Sequence, residues 1–159
     1  IPSFRHKQVG IYLISRRITS VTLWLRDRVM LTVGAKQQTA LLATNSRPLA
    51  VGLTALLLSI PPIDNVICVN EAAELLDGLA VAQPALIFLD TALAENGVCE
   101  LSKSAHRLAP HAQVVILSEN MAEFRDLLHE MRDTVVVKGT DPARLAGIIE
   151  SLLEGHAVA

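Results

Sequence analysis

The sequence contains few aromatic residues and few cysteines. Phe, Trp and Tyr together make up 3% of the 159 residues, whereas apolar residues make up 51%. A core built mainly from Leu, Val, Ile and Ala favours layered α/β packing or a helix bundle over an aromatic-rich β-sandwich. The two cysteines, Cys68 and Cys99, are too few for a disulfide framework and lack metal-binding spacing, so we expect reduced thiols in a cytoplasmic protein.

Long apolar runs and glycine-rich loops are also missing from the sequence. No uninterrupted apolar stretch reaches the roughly 20 residues that a membrane-spanning helix needs, so we expect no membrane span. The eight glycines are scattered, which leaves no glycine-rich loop of the kind that binds phosphate. No nucleophile–base pair can be identified, so we do not expect an enzyme.

Charge is distributed unevenly along the chain. The net charge of -2 argues against generic nucleic-acid binding, yet residues 1–30 hold six Lys or Arg against one acid. Residues 1–38 also lack a steady apolar period, which predicts a basic extension before a domain at 39–155. One hypothesis is that the natural protein starts near Met30 and that residues 1–29 are a loosely docked or upstream-encoded segment. The alternative is a basic arm that binds a membrane surface or an acidic partner.

From Thr39 onwards, short aliphatic runs alternate with segments of helical periodicity. The predicted strands are 40–43, 66–69, 84–90, 114–117 and 135–137. The predicted helices are 48–60, 71–81, 98–108, 122–132 and 142–154. This alternating βα order predicts one α/β domain with a doubly wound, five-stranded parallel sheet of the flavodoxin-like type.

Three polar residues close consecutive predicted strands: Asp90, Ser118 and Lys138. The carboxyl ends of parallel strands share the edge of the sheet where ligands bind, so these side chains are expected to converge. Each also has an ordinary alternative. Asp90 could be a helix N-cap or a solvated acid, Ser118 an N-cap, and Lys138 a surface lysine.

An Asp, a hydroxyl residue and a Lys in this order resemble the receiver (CheY-like) domain of two-component response regulators. The resemblance covers about residues 39–154 and includes Gly97 after the acceptor loop. Residues 47–53 are similar to the first helix of NarL/FixJ-type receivers, which are attached to DNA-binding output domains.

The resemblance implies a role in phosphorelay signal transduction. Asp90 would be the phospho-acceptor, Ser118 the switch hydroxyl and Lys138 the phosphate-pairing residue. The phosphoryl donor would be a histidine kinase, and Mg²⁺ would offset charge on the transferring oxygens. The switch would change the face formed by the fourth helix, the fifth strand and the fifth helix.

The sequence departs from the family pattern at the metal site. Where the family has an acidic pair after the first strand, this chain has Thr44 and Asn45, or Asn45 and Ser46 if the register slips by one, and neither pair supplies a carboxylate. Mg²⁺ is usually held through one or two carboxylates, so Asp90 is expected to bind it weakly. These departures predict a degenerate receiver (pseudo-receiver) that binds a signalling protein or a second copy through a helical face, without direct nucleic-acid contact. The alternative is a small flavodoxin-like domain that binds a nucleotide or metabolite at the same strand edge.

Overall fold

The computed structural model describes residues 12–15, 37–94 and 97–157, with residues 12–15, 156 and 157 described as backbone only. The hypotheses about residues 1–11 and 16–36, including a start near Met30, lie outside the described residues. The strands are β1 (Tyr12–Ser15), β2 (Gln38–Ala43), β3 (Ile63–Val69), β4 (Leu86–Asp90), β5 (Gln113–Ser118) and β6 (Thr134–Val137). The helices are α1 (Arg47–Leu58), α2 (Ala72–Ala82), α3 (Val98–Leu108), α4 (Met121–Glu130) and α5 (Pro142–Ala157).

The strands form one sheet in the order β1-β3-β2-β4-β5-β6. Strands β2 to β6 are parallel to one another, which confirms the predicted five-stranded, doubly wound sheet. The sequence did not predict β1, which pairs antiparallel with β3, with Tyr12 opposite Cys68. A strand of four residues has little periodicity of its own, and it pairs here with a distant strand at the edge of the sheet.

Both faces of the sheet are covered by helices. Along β4, Leu86 and Phe88 join the core on the side of α1 and α5, whereas Ile87 and Leu89 join the core under α2, α3 and α4. All five residues of β4 are buried. Successive side chains of a strand point to opposite faces, so the residues of β4 that lie between the two helix layers, 86–89, are all apolar. The continuous apolar run before Asp90 therefore has a direct structural cause.

The helix ends follow local capping chemistry. Pro48 lies in the first turn of α1, as predicted, and the Ser46 side chain accepts the N–H of Leu49. From its residue type and its place before the predicted helix 71–81, Asn70 is the expected N-cap of α2, but the structure places Glu71 in that position, one residue later. The N-cap of α4 is Asn120, so the alternative of Ser118 as that N-cap is wrong too.

The turn after β6 depends on a glycine. Gly139 has φ +87°, a left-handed conformation that residues other than glycine rarely adopt. A proline could not adopt that angle, because its ring fixes φ near about -65°. Gly139 therefore allows the chain to turn directly after Lys138, at the end of β6.

Among the helices that the structure describes, none is long and apolar enough to cross a membrane.

Candidate functional site

Four neighbouring strands end together at one edge of the sheet. Asp90 is the last residue of β4 and Ser118 the last of β5, while Thr44 and Lys138 directly follow β2 and β6. The order β2-β4-β5-β6 places these four ends side by side. The convergence expected from the sequence is present for the strand ends: it brings the side chains of Asp90 and Lys138 together but leaves the Ser118 side chain outside their ion pair.

Asp90 is fully buried, and both of its carboxylate oxygens have partners. Oδ2 accepts a hydrogen bond from Thr44 Oγ1 at 2.6 Å. Oδ1 accepts from the Ala92 backbone N–H at 2.9 Å and forms an ion pair with Lys138 Nζ at 2.7 Å. The Ala92 contact makes Asp90 the N-cap of a short 3₁₀ turn as well. Burial of a charge is tolerated when it is paired and hydrogen-bonded in this way.

Thr44 occupies the position where the family pattern has an acid. Its side chain is buried, and its hydroxyl donates to Asp90 and accepts the backbone N–H of Ser46 at 3.1 Å. The Thr44 backbone N–H donates to Val69 O, which anchors the residue to β3. Asn45 is exposed and lines two neighbouring grooves. Thr44 thus contributes a neutral hydrogen bond where a metal-binding carboxylate is expected.

Lys138 lies between two carboxylates. Its Nζ pairs with Asp90 on the buried side and with Glu119 Oε1 on the exposed side. Burial works to lower the pKa of Lys138, but the hydrogen bonds and charges of Asp90 and Glu119 outweigh it and raise that pKa. Lys138 is therefore a permanent cation near neutral pH, and it is already shared between two anions.

Ser118 is near the ion pair but takes no part in it. Its Oγ donates to Val136 O at 3.3 Å, and its own carbonyl accepts the Lys138 backbone N–H at 2.9 Å. The side chain is fully buried. In the described arrangement Ser118 links β5 to β6 and makes no hydrogen bond to Asp90.

Two acids near the N-terminus of α4, Glu119 and Glu123, also belong to the site, although neither is among the residues predicted from the sequence. Glu123 Oε2 accepts the Thr91 hydroxyl at 3.0 Å and the Glu119 backbone N–H at 2.6 Å, while the Glu123 N–H donates to Asn120 Oδ1. The Asn120–Glu123 pair is a variant of the capping box, with a capping residue followed three positions later by Glu. The three-residue spacing of Asn120 and Glu123 is visible in the sequence, so this helix cap could have been predicted from it.

The donor set fits Mg²⁺ poorly. Within the described parts of the chain, no three His, Cys, Asp or Glu residues group closely enough to hold a metal ion. Mg²⁺ prefers octahedral oxygen ligands with carboxylate charge, yet Asp90 Oδ1 already faces the Lys138 ammonium and Oδ2 faces the Thr44 hydroxyl. A cation at Asp90 would have to displace one of these partners and would be repelled by Lys138.

A groove of about 570 Å³ runs beside the site between α2 and α3. Its lining includes the carboxylate residues Glu71 and Glu100 and the amides of Asn45 and Asn70. Carboxylates repel phosphate groups, so this groove is poorly suited to a nucleotide.

Comparison with known proteins gives matches at the level of structure. No family model and no curated protein matches the sequence. The structure is similar to a CheY-like response regulator receiver domain protein from Methanospirillum hungatei JF-1, with 18% identity, TM-score 0.65 and coverage of 77% of this chain and 98% of that one. A response regulator receiver protein from Sinorhizobium medicae WSM419 gives 18% identity, TM-score 0.65, and 76% and 98% coverage.

A third similar structure is a two-component response regulator of the LuxR family from Aurantimonas sp. SI85-9A1. It gives 21% identity, TM-score 0.64 and coverage of 76% of this chain and 87% of that one. The order of Asp90, Ser118 and Lys138 led us to expect the fold of a receiver domain, and these structures confirm that fold. The chain has the fold of response regulator receiver (CheY-like) domains.

Proposed function

We propose that the chain is a receiver-type signalling module whose Asp90 does not accept a phosphoryl group. The observation that carries this proposal is the full engagement of the Asp90 carboxylate by Thr44, Ala92 and Lys138. A nucleophilic oxygen must reach the phosphorus in line with the leaving group, and here each oxygen is buried behind a hydrogen bond or an ion pair. The module is a pseudo-receiver in this sense.

Electrostatics support the same conclusion. Phosphoryl transfer depends on cations that offset charge on the equatorial oxygens of the phosphorus. Lys138 is the cation at this site, and Asp90 and Glu119 already share it. With Thr44 in place of an acid, the residues present offer Mg²⁺ little to bind. A phosphoryl group on Asp90 would therefore add negative charge where little compensation exists.

The proposed module acts by binding a partner through the face formed by α4, β6 and α5. Met121 is half exposed on α4, and a groove of about 230 Å³ lies between Phe124, Val137 and Ile148. Exposed apolar side chains around a groove are typical of protein interaction sites. We propose a signalling protein such as a histidine kinase, or a second copy of this chain, as the partner. No catalytic step is assigned to the module.

Residues 39–155 form this module, and the preceding basic segment is an extension that contributes β1 to the sheet edge. The alternative function, binding of a nucleotide or metabolite at the strand edge, has weaker support. The groove at that edge carries Glu71 and Glu100, and no glycine-rich loop is near it.

The proposal is tested by adding Mg²⁺ and acetyl phosphate and recording ¹H–¹⁵N amide spectra. We expect no change at Asp90, Lys138 or along α4 in the wild type. Large changes there, at Mg²⁺ concentrations that leave an Asp90→Asn variant unaffected, would contradict it.

The matched variant is Thr44→Asp, which restores one acid beside Asp90. In that variant, two adjacent carboxylates repel each other, so Mg²⁺ should stabilise the protein against thermal unfolding. The wild type should show no such stabilisation. Equal thermal stabilisation of both proteins by Mg²⁺ would mean that the lack of an acid at position 44 is not the cause of weak Mg²⁺ binding.

A further inference from the structure

The proposed function leaves the basic segment before β1 without a role. Residues 1–11 contain Arg5, His6 and Lys7 and no acid. Strand β1 joins this segment to the sheet, and Tyr12, the first residue of β1, pairs with Cys68 of β3. The pairing of β1 therefore defines the point on the described surface from which the segment starts.

That starting point lies next to the largest groove at the carboxyl edge of the sheet. Because β1 runs antiparallel to β3, the chain before Tyr12 leads in the direction in which β3 continues past Cys68. Strand β3 ends at Val69, and the next residue, Asn70, lines the groove of about 570 Å³ between α2 and α3. A chain as long as residues 1–11 can span up to about 36 Å when extended, so it can reach across this groove.

The part of the chain that forms this groove is acidic. Residues 48–102 contain seven acids and no Lys, Arg or His. Two of these acids, Glu71 and Glu100, line the groove. Glu71 is exposed and does not cap α2 with its side chain, and the ion pair of Glu100 with Lys103 is exposed to solvent. Exposed ion pairs contribute little to stability, so both carboxylates are available to a basic partner.

A second groove near the same point provides a comparison. It has a volume of about 290 Å³ and lies between α1 and the end of β3, with Asn70 and Val51 in its lining. Among its described lining residues, Arg47 is the one that carries a charge, and it would repel a basic segment. The two grooves are equally close to Asn70, so charge is what distinguishes them.

We propose that residues 1–11 bind in the groove between α2 and α3 of their own chain, held by the attraction of their basic side chains to Glu71 and Glu100. The apolar part of the groove, which includes Leu101, receives the Phe4 side chain. The inference goes beyond the proposed function and holds whether or not the module accepts phosphate. The bound segment leaves the face formed by α4, β6 and α5 available to a partner.

The test is paramagnetic relaxation enhancement in the full chain. A nitroxide is attached at Ser3→Cys in a Cys99→Ser background, and Cys68 is buried. We expect strong broadening of groove amides, among them Ala73 and Gly97, and recovery of their signals when ascorbate reduces the nitroxide. The Cys99→Ser protein without Ser3→Cys, treated with the same reagent, is the control for labelling at Cys68.

Matched charge variants test the cause of the contact. Reversing the groove acids with Glu71→Lys and Glu100→Lys should weaken the broadening of the groove amides on the order of threefold, because attraction becomes repulsion. Glu150→Lys with Glu154→Lys changes the net charge equally on the exposed surface of α5 and should leave the broadening unchanged.

A charge exchange provides the complementary test. Adding Arg5→Glu and Lys7→Glu to the variant with both groove acids reversed restores opposite charges on the two surfaces. We expect the broadening of the groove amides to return.

Three results would overturn the inference. The first is broadening that is strongest around Arg47 and Val51, in the groove beside α1. The second is an equal loss of broadening in the groove variant and in the α5 variant. The third is broadening that requires a nitroxide on a separate, ¹⁴N copy of the chain, which would assign the contact to a second copy. Should the Lys variants unfold, Glu71→Gln with Glu100→Gln removes both charges with little change of shape and is read by the same criteria.

Discussion

Thr44 Oγ1 lies 2.6 Å from Asp90 Oδ2, and both side chains are buried. A second acid beside Asp90 would repel it unless a metal ion lay between the two carboxylates. Thr44 instead donates a hydrogen bond to Asp90, and this pair needs no metal. Together with the Lys138 ion pair, it lets a lone carboxylate remain in the interior of the fold. The site is therefore stable without a ligand, and the stability of the protein should depend on each partner of Asp90.

Replacing Thr44 with Val removes the hydroxyl and keeps the shape of the side chain. We expect the free energy of unfolding to fall by roughly 2 kcal/mol, because a hydrogen bond to a buried charge is worth more than a neutral one. The control is Thr54→Val: Thr54 is equally buried, but its hydroxyl contacts the Cys68 thiol. Urea unfolding should rank Thr44→Val as the more damaging variant, and the reverse ranking would count against a charged Asp90.

Replacing Lys138 with Met should cost roughly 3 kcal/mol of unfolding free energy near neutral pH. The loss arises because Asp90 stays buried while its charge partner is removed. Combining Lys138→Met with Asp90→Asn should recover part of the loss, since the uncompensated charge disappears as well. Additive losses in the double variant would show that the two residues do not depend on each other.

The Lys138 ion pairs should also make stability depend on pH at the alkaline end. The pKa of Lys138 is raised in the folded protein above its ordinary value of 10.5. A raised pKa means that the stabilisation is fully present below the ordinary lysine value and is lost as pH rises through the folded pKa. The stability difference between wild type and Lys138→Met should therefore stay constant from about pH 7 to about pH 9 and shrink above about pH 10.5. A difference that grows above that pH would contradict this linkage.

Glu123 should couple the loop after Asp90 to the first turn of α4. Glu123→Ala removes the acceptor of both the Thr91 hydroxyl and the Glu119 N–H. We expect faster hydrogen–deuterium exchange in the first turn of α4 and in the loop after Asp90, by several-fold, with little change in the sheet. Asp126→Ala, an exposed acid on the same helix, is the control. Equal exchange in the two variants would show that Glu123 does not join these segments.

Much of the fold could be predicted because local patterns and global packing agree. The apolar run 86–89 is buried on both faces, as its uninterrupted composition requires, and Pro48 lies where a helix begins. Strand β1 could not be predicted, because four residues gain their structure from pairing with β3. The N-caps shifted by one residue from Asn70 to Glu71 and by two from Ser118 to Asn120, because several polar residues precede each helix and any of them could be the cap.

The site was predictable in outline and not in detail. Strand ends in a parallel sheet share an edge, so Asp90 and Lys138 could be placed together from the sequence alone. The roles of Thr44 and Glu119 depend on rotamers and on the register of non-adjacent strands, which a single sequence does not reveal. Thr44 was recognisable only as a missing acid, whereas the structure gives its hydroxyl a specific partner.

The most direct test of the closed Asp90 site is the intact mass of the protein after incubation with acetyl phosphate and Mg²⁺. Wild type and an Asp90→Ala control are measured in parallel, under conditions that phosphorylate an unrelated active receiver domain. The account predicts the same unmodified mass for both proteins. A gain of one phosphoryl group in the wild type alone would contradict it and would make Asp90 a working acceptor despite Thr44 and Asn45.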